Sequence, residues 1–369
     1  MYNIHVIQAN YGDCILLEYG TSAASKYALI DGGPKGVWNN HLKGELERLA
    51  DQGAGLDFIA ISHADTDHIT GIIDFFSELE SLRSSNQPPL LAVDALWYNS
   101  FSNTIDTAGA NIHSRLSSIM SGVASPHMMA HTNTLLASFD MGNQLRIKSQ
   151  LLGLSVNEGF PDNIVVADTA PKRTFDNLKI TIVGPTRDNL TQLRTEWLEW
   201  LEKNEPALAT GDPQTLANSD KSAKNLASIM FLVEANGTRS LFTGDGRSDH
   251  LLQGLEQANL LDHNGSMHLD VLKVMHHGSD RNVTRTFFKK VTADTYIISA
   301  NGHPDNPDLS TLIWLVEAAK EAGRNIHIIA TNETRATRKL VKEYPPVNYG
   351  YTLEVMPHGS HSRVIELAS

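Results

Sequence analysis

The chain contains 369 residues, of which 41% are hydrophobic and 20% are charged, so it can bury the core of one or two domains. Since no break in composition requires two, we expect a single domain over residues 1–369. The formal net charge of −12 argues against a general binder of duplex DNA, because an acidic protein repels a polyanion at long range. No stretch approaches the roughly 20 apolar residues of a membrane span, and we expect a cytoplasmic protein without a membrane partner.

The N-terminal third alternates predicted strands and predicted helices. Apolar runs and turn residues predict strands at 3–8, 15–19 and 27–30, a helix at 41–50, a strand ending at 61, a helix at 72–82 and a strand at 90–97. This order is typical of a layered α/β fold. The single cysteine, Cys14, excludes an intramolecular disulfide, and its apolar surroundings predict a core residue.

The segment 59–71, IAISHADTDHITG, carries the densest chemical signal in the sequence. His63 and Asp65 alternate and so leave an extended backbone on the same side, whereas Asp67 and His68 are adjacent and diverge where a helix begins. One loop can therefore supply ligands to two neighbouring metal ions. Imidazole and carboxylate without thiolate suit zinc or manganese. The alternative is an acidic helix N-terminus with incidental histidines.

The HADTDH motif resembles the HxHxDH signature of the metallo-β-lactamase fold, with aspartate in place of the second histidine. This variant is similar to the metallohydrolase domain of the DNA-uptake protein ComEC and to bacterial phosphorylcholine esterases. The opening pattern QANYGDC…LIDGG is similar to GQGD…LIDTG of ComEC-type domains. The resemblance implies that Asp31 lies beneath the metals and hydrogen-bonds the metal-binding loop, with a weaker version of the same role for Asp13. A simple turn aspartate is the alternative for Asp31.

The segment 99–149 is rich in Ser, Thr, Asn, Met and His, and we expect an insertion that forms a flap or side wall beside the site. Helical patterns within it cover 112–120 and 134–139. Its histidines lack a rigid ligand spacing, so they are interpreted as surface residues; they are His113, His127 and His131.

The second half again alternates strands and helices. Strands are predicted at 178–184, 225–235, 239–243, 269–275, 296–300, 326–330 and 351–356, and helices at 188–203, 248–261 and 311–322. Asn236 and Gly237 predict a hairpin. A loop is predicted at 205–220 from its Pro, Gly and Asp content, and the boundary between the halves of the fold is expected there.

Two motifs of the second half resemble metal-binding blocks of the same family. Thr243-Gly244-Asp245-Gly246 is similar to LLTGD, whose aspartate bridges two metals, so the resemblance implies a bridging role for Asp245; a helix-capping aspartate is the alternative. His276-His277-Gly278-Ser279 is similar to HHGS, which implies that one histidine binds metal while the other binds metal or contacts the scissile phosphate. The sequence leaves open which histidine does which.

Further residues are expected at the rim of the site. Asn225 and Ser228 match the NxxS of ComEC-like sequences, and Asn225 is expected to touch substrate or a ligand, unless it is an ordinary strand residue. Asn301-Gly302-His303-Pro304 resembles N.YGHP without its aromatic residue, which makes His303 a proton donor or phosphate contact, with a loop histidine as the alternative. Substrate contacts are also predicted for Ser279, Arg281 and Arg285. Together with Lys289 and Lys290, the two arginines form a basic strip that would otherwise be solvated surface.

The matched blocks run in one order from residue 8 to about 303 and imply an αββα four-layer sandwich of the metallo-β-lactamase fold. They imply two divalent ions, zinc or manganese, bound by His63, Asp65, Asp67, His68, Asp245, His276 and His277. Asp67, Asp245 and His303 are the expected catalytic residues. The implied reaction is hydrolysis of a phosphodiester in DNA or RNA by a hydroxide that bridges the ions. The alternatives are a small-molecule phosphoesterase of the phosphorylcholine type and an effector subunit regulated by an unidentified protein partner.

Overall fold

The structure is a computed structural model that describes residues 1–100, 134–210 and 227–368. Asn225, the three histidines of the insertion and the predicted helix at 112–120 lie outside these ranges. Within the described ranges, no helix combines the length and apolar character needed to cross a bilayer. The single domain and the cytoplasmic location stay predictions.

Two β-sheets form the centre of the fold. The strands of the described residues are β1 Tyr2–Ile7, β2 Ile15–Thr21, β3 Ala24–Ile30, β4 Leu56–Ala60, β5 Ala95–Trp97, β6 Ser155–Val156, β7 Arg173–Phe175, β8 Leu178–Gly184, β9 Met230–Ala235, β10 Thr238–Phe242, β11 Met267–Lys273, β12 Val291–Ile298, β13 Ile326–Ala330, β14 Tyr351–Val355 and β15 Ser362–Ala368. One sheet has the order β15-β1-β2-β3-β4-β5-β6, and the other has the order β14-β13-β12-β11-β10-β9-β8-β7. Both sheets contain parallel and antiparallel pairs.

Helices cover the outer face of each sheet. The helices of the described residues are α1 Lys43–Asp51, α2 Thr66–Ser84, α3 Thr134–Leu152, α4 Arg187–Thr210, α5 Ser248–Gln257, α6 Arg285–Lys290, α7 Leu309–Glu321, α8 Arg335–Glu343 and α9 Pro346–Tyr349. Helices α1 and α2 pack on the first sheet, and α5, α6 and α7 pack on the second.

Three buried apolar clusters separate the layers. Between the sheets, Phe58 of β4 stacks on Trp97 of β5 with 4.2 Å between ring centroids, and Phe231 of β9 joins them from the opposite sheet. Ile59, the neighbour of Phe58, joins the cluster beneath α1 and α2 instead, because successive side chains of a strand face opposite sides. The third cluster lies between the second sheet and its helices. The predicted αββα four-layer sandwich is therefore confirmed.

Local patterns predicted most elements correctly. Asn236 and Gly237 have φ of 50° and 82° and connect β9 to β10 as the predicted hairpin. The missed elements include β15, which pairs antiparallel with β1, and the short helix α8. Cys14 is buried, as expected.

Two predictions about the middle of the chain are wrong. The loop predicted at 205–220 is helical at its start, because α4 continues through Pro206 to Thr210; residues 211–220 lie outside the described ranges. The boundary between the halves also lies earlier, since the chain changes sheets between β6 and β7. Strand β8, which precedes the expected boundary, already pairs with β9 in the second sheet.

Candidate metal centre

Loops from both sheets converge at one edge of the sandwich. The loop after β4 carries His63 and Asp65, the loop after β10 carries Asp245, and the turn after β11 carries His276 and His277. His276 and His277 have φ of 47° and 55°, in the left-handed region that non-glycine residues rarely adopt. The turn directs two adjacent imidazoles to different positions.

The helix-cap interpretations of the aspartates fail. Asp65 occupies the N-cap position of α2, but its side chain makes no capping hydrogen bond. Asp245 precedes the N-cap residue of α5, Arg247, and is therefore not the cap. Both carboxylates point instead toward histidines.

Two glycines allow the loop after β4 to sit against its neighbours. A Cβ on Gly12 would lie 1.8 Å from the carbonyl oxygen of Asp67, and a Cβ on Gly71 would lie 2.0 Å from that of Gly32. The backbone of Gly32 donates to the carbonyl of His68 at 2.7 Å. Only glycine permits such backbone contact, which fixes the first turn of α2 and the side chains on it.

The two carboxylate oxygens of Asp245 face different histidines. Oδ1 lies 3.2 Å from Nε2 of His68 and 3.5 Å from Nε2 of His277. Oδ2 lies 3.7 Å from Nε2 of His63 and 3.5 Å from Nε2 of His276. Four imidazoles are thus divided into two pairs about one carboxylate.

The other two aspartates extend the same division. Oδ2 of Asp67 lies 3.3 Å from Nε2 of His277 and 3.9 Å from Nε2 of His68. Asp67 therefore belongs with the two histidines that face Oδ1 of Asp245. Oδ2 of Asp65 lies 3.8 Å from Nε2 of His63, so Asp65 belongs with the two histidines that face Oδ2 of Asp245. Each side of Asp245 therefore offers two imidazoles and one further carboxylate.

Asp31 fixes the imidazoles of His63 and His68 on the side of their Nδ1 atoms, directly or through Ser62. Its Oδ2 accepts from Nδ1 of His68 at 2.9 Å and from the hydroxyl of Ser62 at 2.7 Å. Nδ1 of His63 lies 3.1 Å from that hydroxyl, whose proton is already donated to Asp31. We assign the proton of both rings to Nδ1, because the neighbouring oxygens act as acceptors. The Nε2 lone pairs then face Asp245.

The second pair of imidazoles is fixed in the same way. Nδ1 of His277 donates to the carbonyl oxygen of Ser299 at 2.9 Å. Nδ1 of His276 lies 2.6 Å from Oδ1 of Asn282, whose amide nitrogen donates to the carbonyl of Asp245 at 2.9 Å. Because the amide nitrogen of Asn282 donates to Asp245, its oxygen faces His276. That oxygen can only accept, so Nδ1 of His276 is the donor.

The convergent atoms lack hydrogen-bond partners among the described residues. The buried Nε2 atoms of His63, His68 and His277 and the buried Oδ1 of Asp245 make no acceptable hydrogen bond there. Lone pairs that face carboxylates need a cation between them, since each unsatisfied buried group costs about 1–3 kcal/mol. Oxygen and imidazole donors of this kind suit zinc or manganese. The cluster is therefore suited to bind divalent metal.

The electrostatics of the cluster also favour a positive charge. Burial lowers the pKa of His277, but Asp245 and Asp13 raise it by more, to about 9, so without metal a second proton on the ring supplies the positive charge. Burial likewise opposes a positive charge on His68, yet Asp245, Asp67 and Asp31 raise its pKa well above the ordinary value. Burial raises the pKa of Asp245, and His276, His68 and His277 outweigh it, so that carboxyl stays ionised.

Asp13 lies behind the rings, together with a lysine that sequence reasoning missed. Potential ligand atoms of Asp13, His68, Asp245 and His277 lie within 4.8 Å of one another. However, the oxygens of Asp13 face the Nδ1 atoms, at 3.8 Å for His68 and 3.5 Å for His277. They also form a buried ion pair with Lys273. Burial raises the pKa of Asp13, and Lys273 and His277 lower it to about 2.

The remaining predicted residues lie around the cluster. Ser279 is buried, and its backbone donates to His276 at 2.8 Å. His303 is exposed, and its ring packs on that of Tyr11 at 5.3 Å. Tyr11 precedes Gly12, whose backbone contacts the carbonyl of Asp67, so the aromatic pair lies near the cluster. Burial and the Asp67 carboxylate raise the pKa of Tyr11.

The basic strip is partly neutralised. Arg285 pairs with Glu321 at 2.6 Å and with Glu317 at 3.2 Å, and Lys289 also pairs with Glu321 at 2.6 Å. Arg281 instead lines a cavity of about 180 Å³ next to the cluster. The other polar side chains that line this cavity are Arg247, Ser248, Asp249, Asn282, Thr284 and Thr286.

Sequence reasoning predicted Asp31 and Asp13 behind the ligands but missed the other residues that hold them. Lys273 could have been found as the one charged residue within the apolar run VLKVM. Ser62, Asn282 and Ser299 are small polar residues close to motif positions, and no local pattern separates them from ordinary loop residues. The insertion also contributes a contact, since the hydroxyl of Ser138 in α3 donates to Oδ1 of Asp65 at 2.5 Å.

Comparison with protein-family models found no match, and comparison with curated proteins also found none. Among solved structures, Zn²⁺-bound PqqB from Methylobacterium extorquens is 9% identical with a TM-score of 0.40, covering 99% of this chain and 100% of that chain. The Acinetobacter baumannii Cap4 SAVED/CARF-domain receptor with the cyclic trinucleotide 2'3'3'-cAAA is 11% identical with a TM-score of 0.12, covering 97% of this chain and 63% of that chain. The fold and the cluster rest on their own geometry.

Proposed function

We propose that the protein is a metal-dependent hydrolase with a dinuclear centre that cleaves phosphodiesters. The observation that carries the proposal is the division of four imidazole Nε2 atoms between the two oxygens of Asp245. A carboxylate placed in this way can bridge two ions about 3.5–4 Å apart. Zinc and manganese both suit these ligands.

Each ion would have its own set of ligands. The first ion would bind His63, Asp65, His276 and Oδ2 of Asp245, and the second would bind Asp67, His68, His277 and Oδ1 of Asp245. This assignment gives both histidines of the HHGS block a metal. When bound, such ions neutralise developing negative charge and lower the pKa of water toward about 7.

The chain itself supplies the orientation of the ligands. Asp31, Ser299 and Asn282 hold the Nδ1 atoms, so the rings need no rearrangement when substrate binds. Asp67 and Asp245 carry negative charge that would balance the positive charge of the ions. His303 is exposed and packs on Tyr11, and it would be the residue that donates a proton to a leaving group.

The cavity beside the cluster supports a substrate with phosphate groups. Asn282 joins the two places, since it contacts His276 and also lines the cavity. Arg247 is held by Asp249 at 2.7 and 3.1 Å, so Arg247, Arg281 and Asp249 together carry one net positive charge. A phosphate adjacent to the scissile bond would be attracted to them. With the resemblance to ComEC-type domains, this favours a phosphodiester in DNA or RNA.

A small phosphoester of the phosphorylcholine type is the second candidate. The neutralisation of Arg285 and Lys289 by glutamates shortens the positive surface available to a long strand. The net charge of −12 acts in the same direction. Regulation by a protein partner stays a prediction.

The test is a hydrolysis panel with protein loaded with Mn²⁺ or Zn²⁺. The substrates are bis-p-nitrophenyl phosphate, single-stranded DNA, duplex DNA and RNA, and Asp245→Asn is the inactive control. Cleavage of bis-p-nitrophenyl phosphate and a nucleic acid by the wild type alone supports the proposal. Cleavage of bis-p-nitrophenyl phosphate without any nucleic acid selects the small phosphoester. Metal-loaded protein that cleaves none of the four contradicts both.

A further inference from the structure

Asp65 has a different partner at each of its two carboxylate oxygens. Oδ1 accepts a hydrogen bond from the hydroxyl of Ser138 at 2.5 Å. Oδ2 lies 3.8 Å from Nε2 of His63, on the side where the first ion would bind. The contact with Ser138 crosses 73 residues of sequence and connects the insertion to the metal loop.

Ser138 is delivered by a helix that is fixed to the body of the fold. Leu145 of α3 is fully buried in the cluster beneath the first sheet. Lys148 of α3 pairs with Glu80 of α2 at 2.5 Å. A Cβ on Gly142 would meet Ala64 of the metal loop at 3.4 Å, so α3 lies directly against that loop. The hydroxyl therefore has a defined position.

A carboxylate needs such a contact more than an imidazole does. The four imidazoles are each held at Nδ1, which leaves Nε2 as the only atom for a metal. Asp65 could turn about its terminal bond and present either oxygen or both. A donor on Oδ1 removes this freedom, because rotation would break the hydrogen bond.

We propose that Ser138 is a positioning residue that makes Asp65 a ligand through Oδ2 alone and thereby sets the affinity of the first ion. The inference rests on the metal centre of the proposed function. Ser138 acts on Asp65 as Asp31, Ser299 and Asn282 act on the imidazoles. Loss of such a contact typically reduces metal affinity by about 10- to 100-fold, and we expect the same reduction here.

The test measures metal binding by full-length protein rather than turnover. Metal-free wild type, Ser138→Ala, Ser138→Thr and Ser149→Ala are titrated with Co²⁺, followed by visible absorption, and with Mn²⁺, followed by calorimetry. Ser149 is the matched control, because it is buried on the same helix and donates to the carbonyl of Arg146. Thermal melting of each variant checks the fold.

We expect Ser138→Ala to bind one of two ions about 10- to 100-fold more weakly, with an altered Co²⁺ spectrum and the other ion unchanged. Ser138→Thr, which keeps the hydroxyl, restores both properties, and Ser149→Ala behaves as wild type. If the alanine variant fails to fold, Ser138→Cys keeps the shape with a weak donor and shows the same selective loss. Wild-type affinities and spectrum in Ser138→Ala, or in the cysteine variant, overturn the inference.

The outcomes separate this inference from the proposed function. Wild type that binds two ions but cleaves no phosphodiester contradicts the function and leaves the role of Ser138 open to the same titration. A wild type that cleaves phosphodiesters, together with an alanine variant of unchanged affinity, contradicts the role of Ser138 alone. Wild type that binds no Co²⁺ or Mn²⁺ contradicts both.

Discussion

Replacement of Asp31 by asparagine isolates the orientation of a metal ligand from the charge of the ligand itself. Asp31 accepts from the backbone N of Ser62 at 2.8 Å, from its hydroxyl at 2.7 Å and from Nδ1 of His68 at 2.9 Å. An amide has only one acceptor atom. The Ser62 backbone N–H cannot adapt, so the asparagine oxygen is expected to face it and the NH₂ group to face His68.

His68 must then accept at Nδ1 and keep its one proton on Nε2. The loss of a hydrogen bond to a charged acceptor costs about 1.5–3 kcal/mol. The proton on Nε2 points to Oδ1 of Asp245, 3.2 Å away, and this contact keeps the cost in metal-free protein at about 1.5 kcal/mol. An Nε2 that carries a proton cannot bind metal, so the second ion should bind at least about 10- to 100-fold more weakly.

Urea unfolding in the presence of a chelator measures the first effect, and calorimetric titration with Mn²⁺ measures the second. The control is Asp57→Asn, because Asp57 accepts from the Tyr19 hydroxyl at 2.6 Å and lies at the start of β4, whereas the metal loop follows its end. The control should lose stability and keep both affinities. Asp31→Asn with wild-type affinity for both ions would refute the argument that Nδ1 contacts set the ligand atoms.

Three further perturbations test other parts of the site. Gly71→Ala puts a Cβ 2.0 Å from a backbone carbonyl, so it should displace α2 and weaken Mn²⁺ binding as well as lower the melting temperature. Arg247→Ala combined with Arg281→Ala should reduce cleavage of a nucleic acid about tenfold or more, with little change for bis-p-nitrophenyl phosphate. Lys273→Met leaves Asp13 buried without its cation and should destabilise the protein by about 3–5 kcal/mol in urea unfolding.

A specific result would contradict each of these three expectations. Gly142→Ala, whose Cβ meets only a tyrosine hydroxyl below 3 Å, should be milder than Gly71→Ala; equal effects would contradict the argument from backbone contact. Equal losses on both substrates in the double arginine variant would place the arginines in the chemistry rather than at a flanking phosphate. Lys273→Met should be partly rescued by Asp13→Asn, and additive losses would contradict the ion pair.

The sequence predicted the parts of the site that are local in the chain. His63, Asp65, Asp67 and His68 lie in one short loop whose spacing and surroundings are visible in the sequence. The layered fold was equally accessible, because strand and helix periodicities are local. These side chains gather about Asp245 in a buried cluster suited to divalent metal.

The missing parts depend on contacts between distant segments. The hydroxyl that holds Asp65 comes from a helix 73 residues away, and the glutamate that neutralises Arg285 lies 36 residues further along the chain. Pairing of β15 with β1 connects the two ends of the described chain. No local pattern contains these partners, since they are chosen by packing.

The turn that carries His276 and His277 lowers the free energy of unfolding of the metal-free protein. Left-handed backbone at a non-glycine residue costs about 1–3 kcal/mol each, and here two such residues are consecutive. Glycine or asparagine at either position would relax the turn and remove a candidate ligand. The metal-free protein is therefore less stable than the same fold with a relaxed turn. Selection for tighter folding and selection for two differently aimed imidazoles act in opposite directions at this turn.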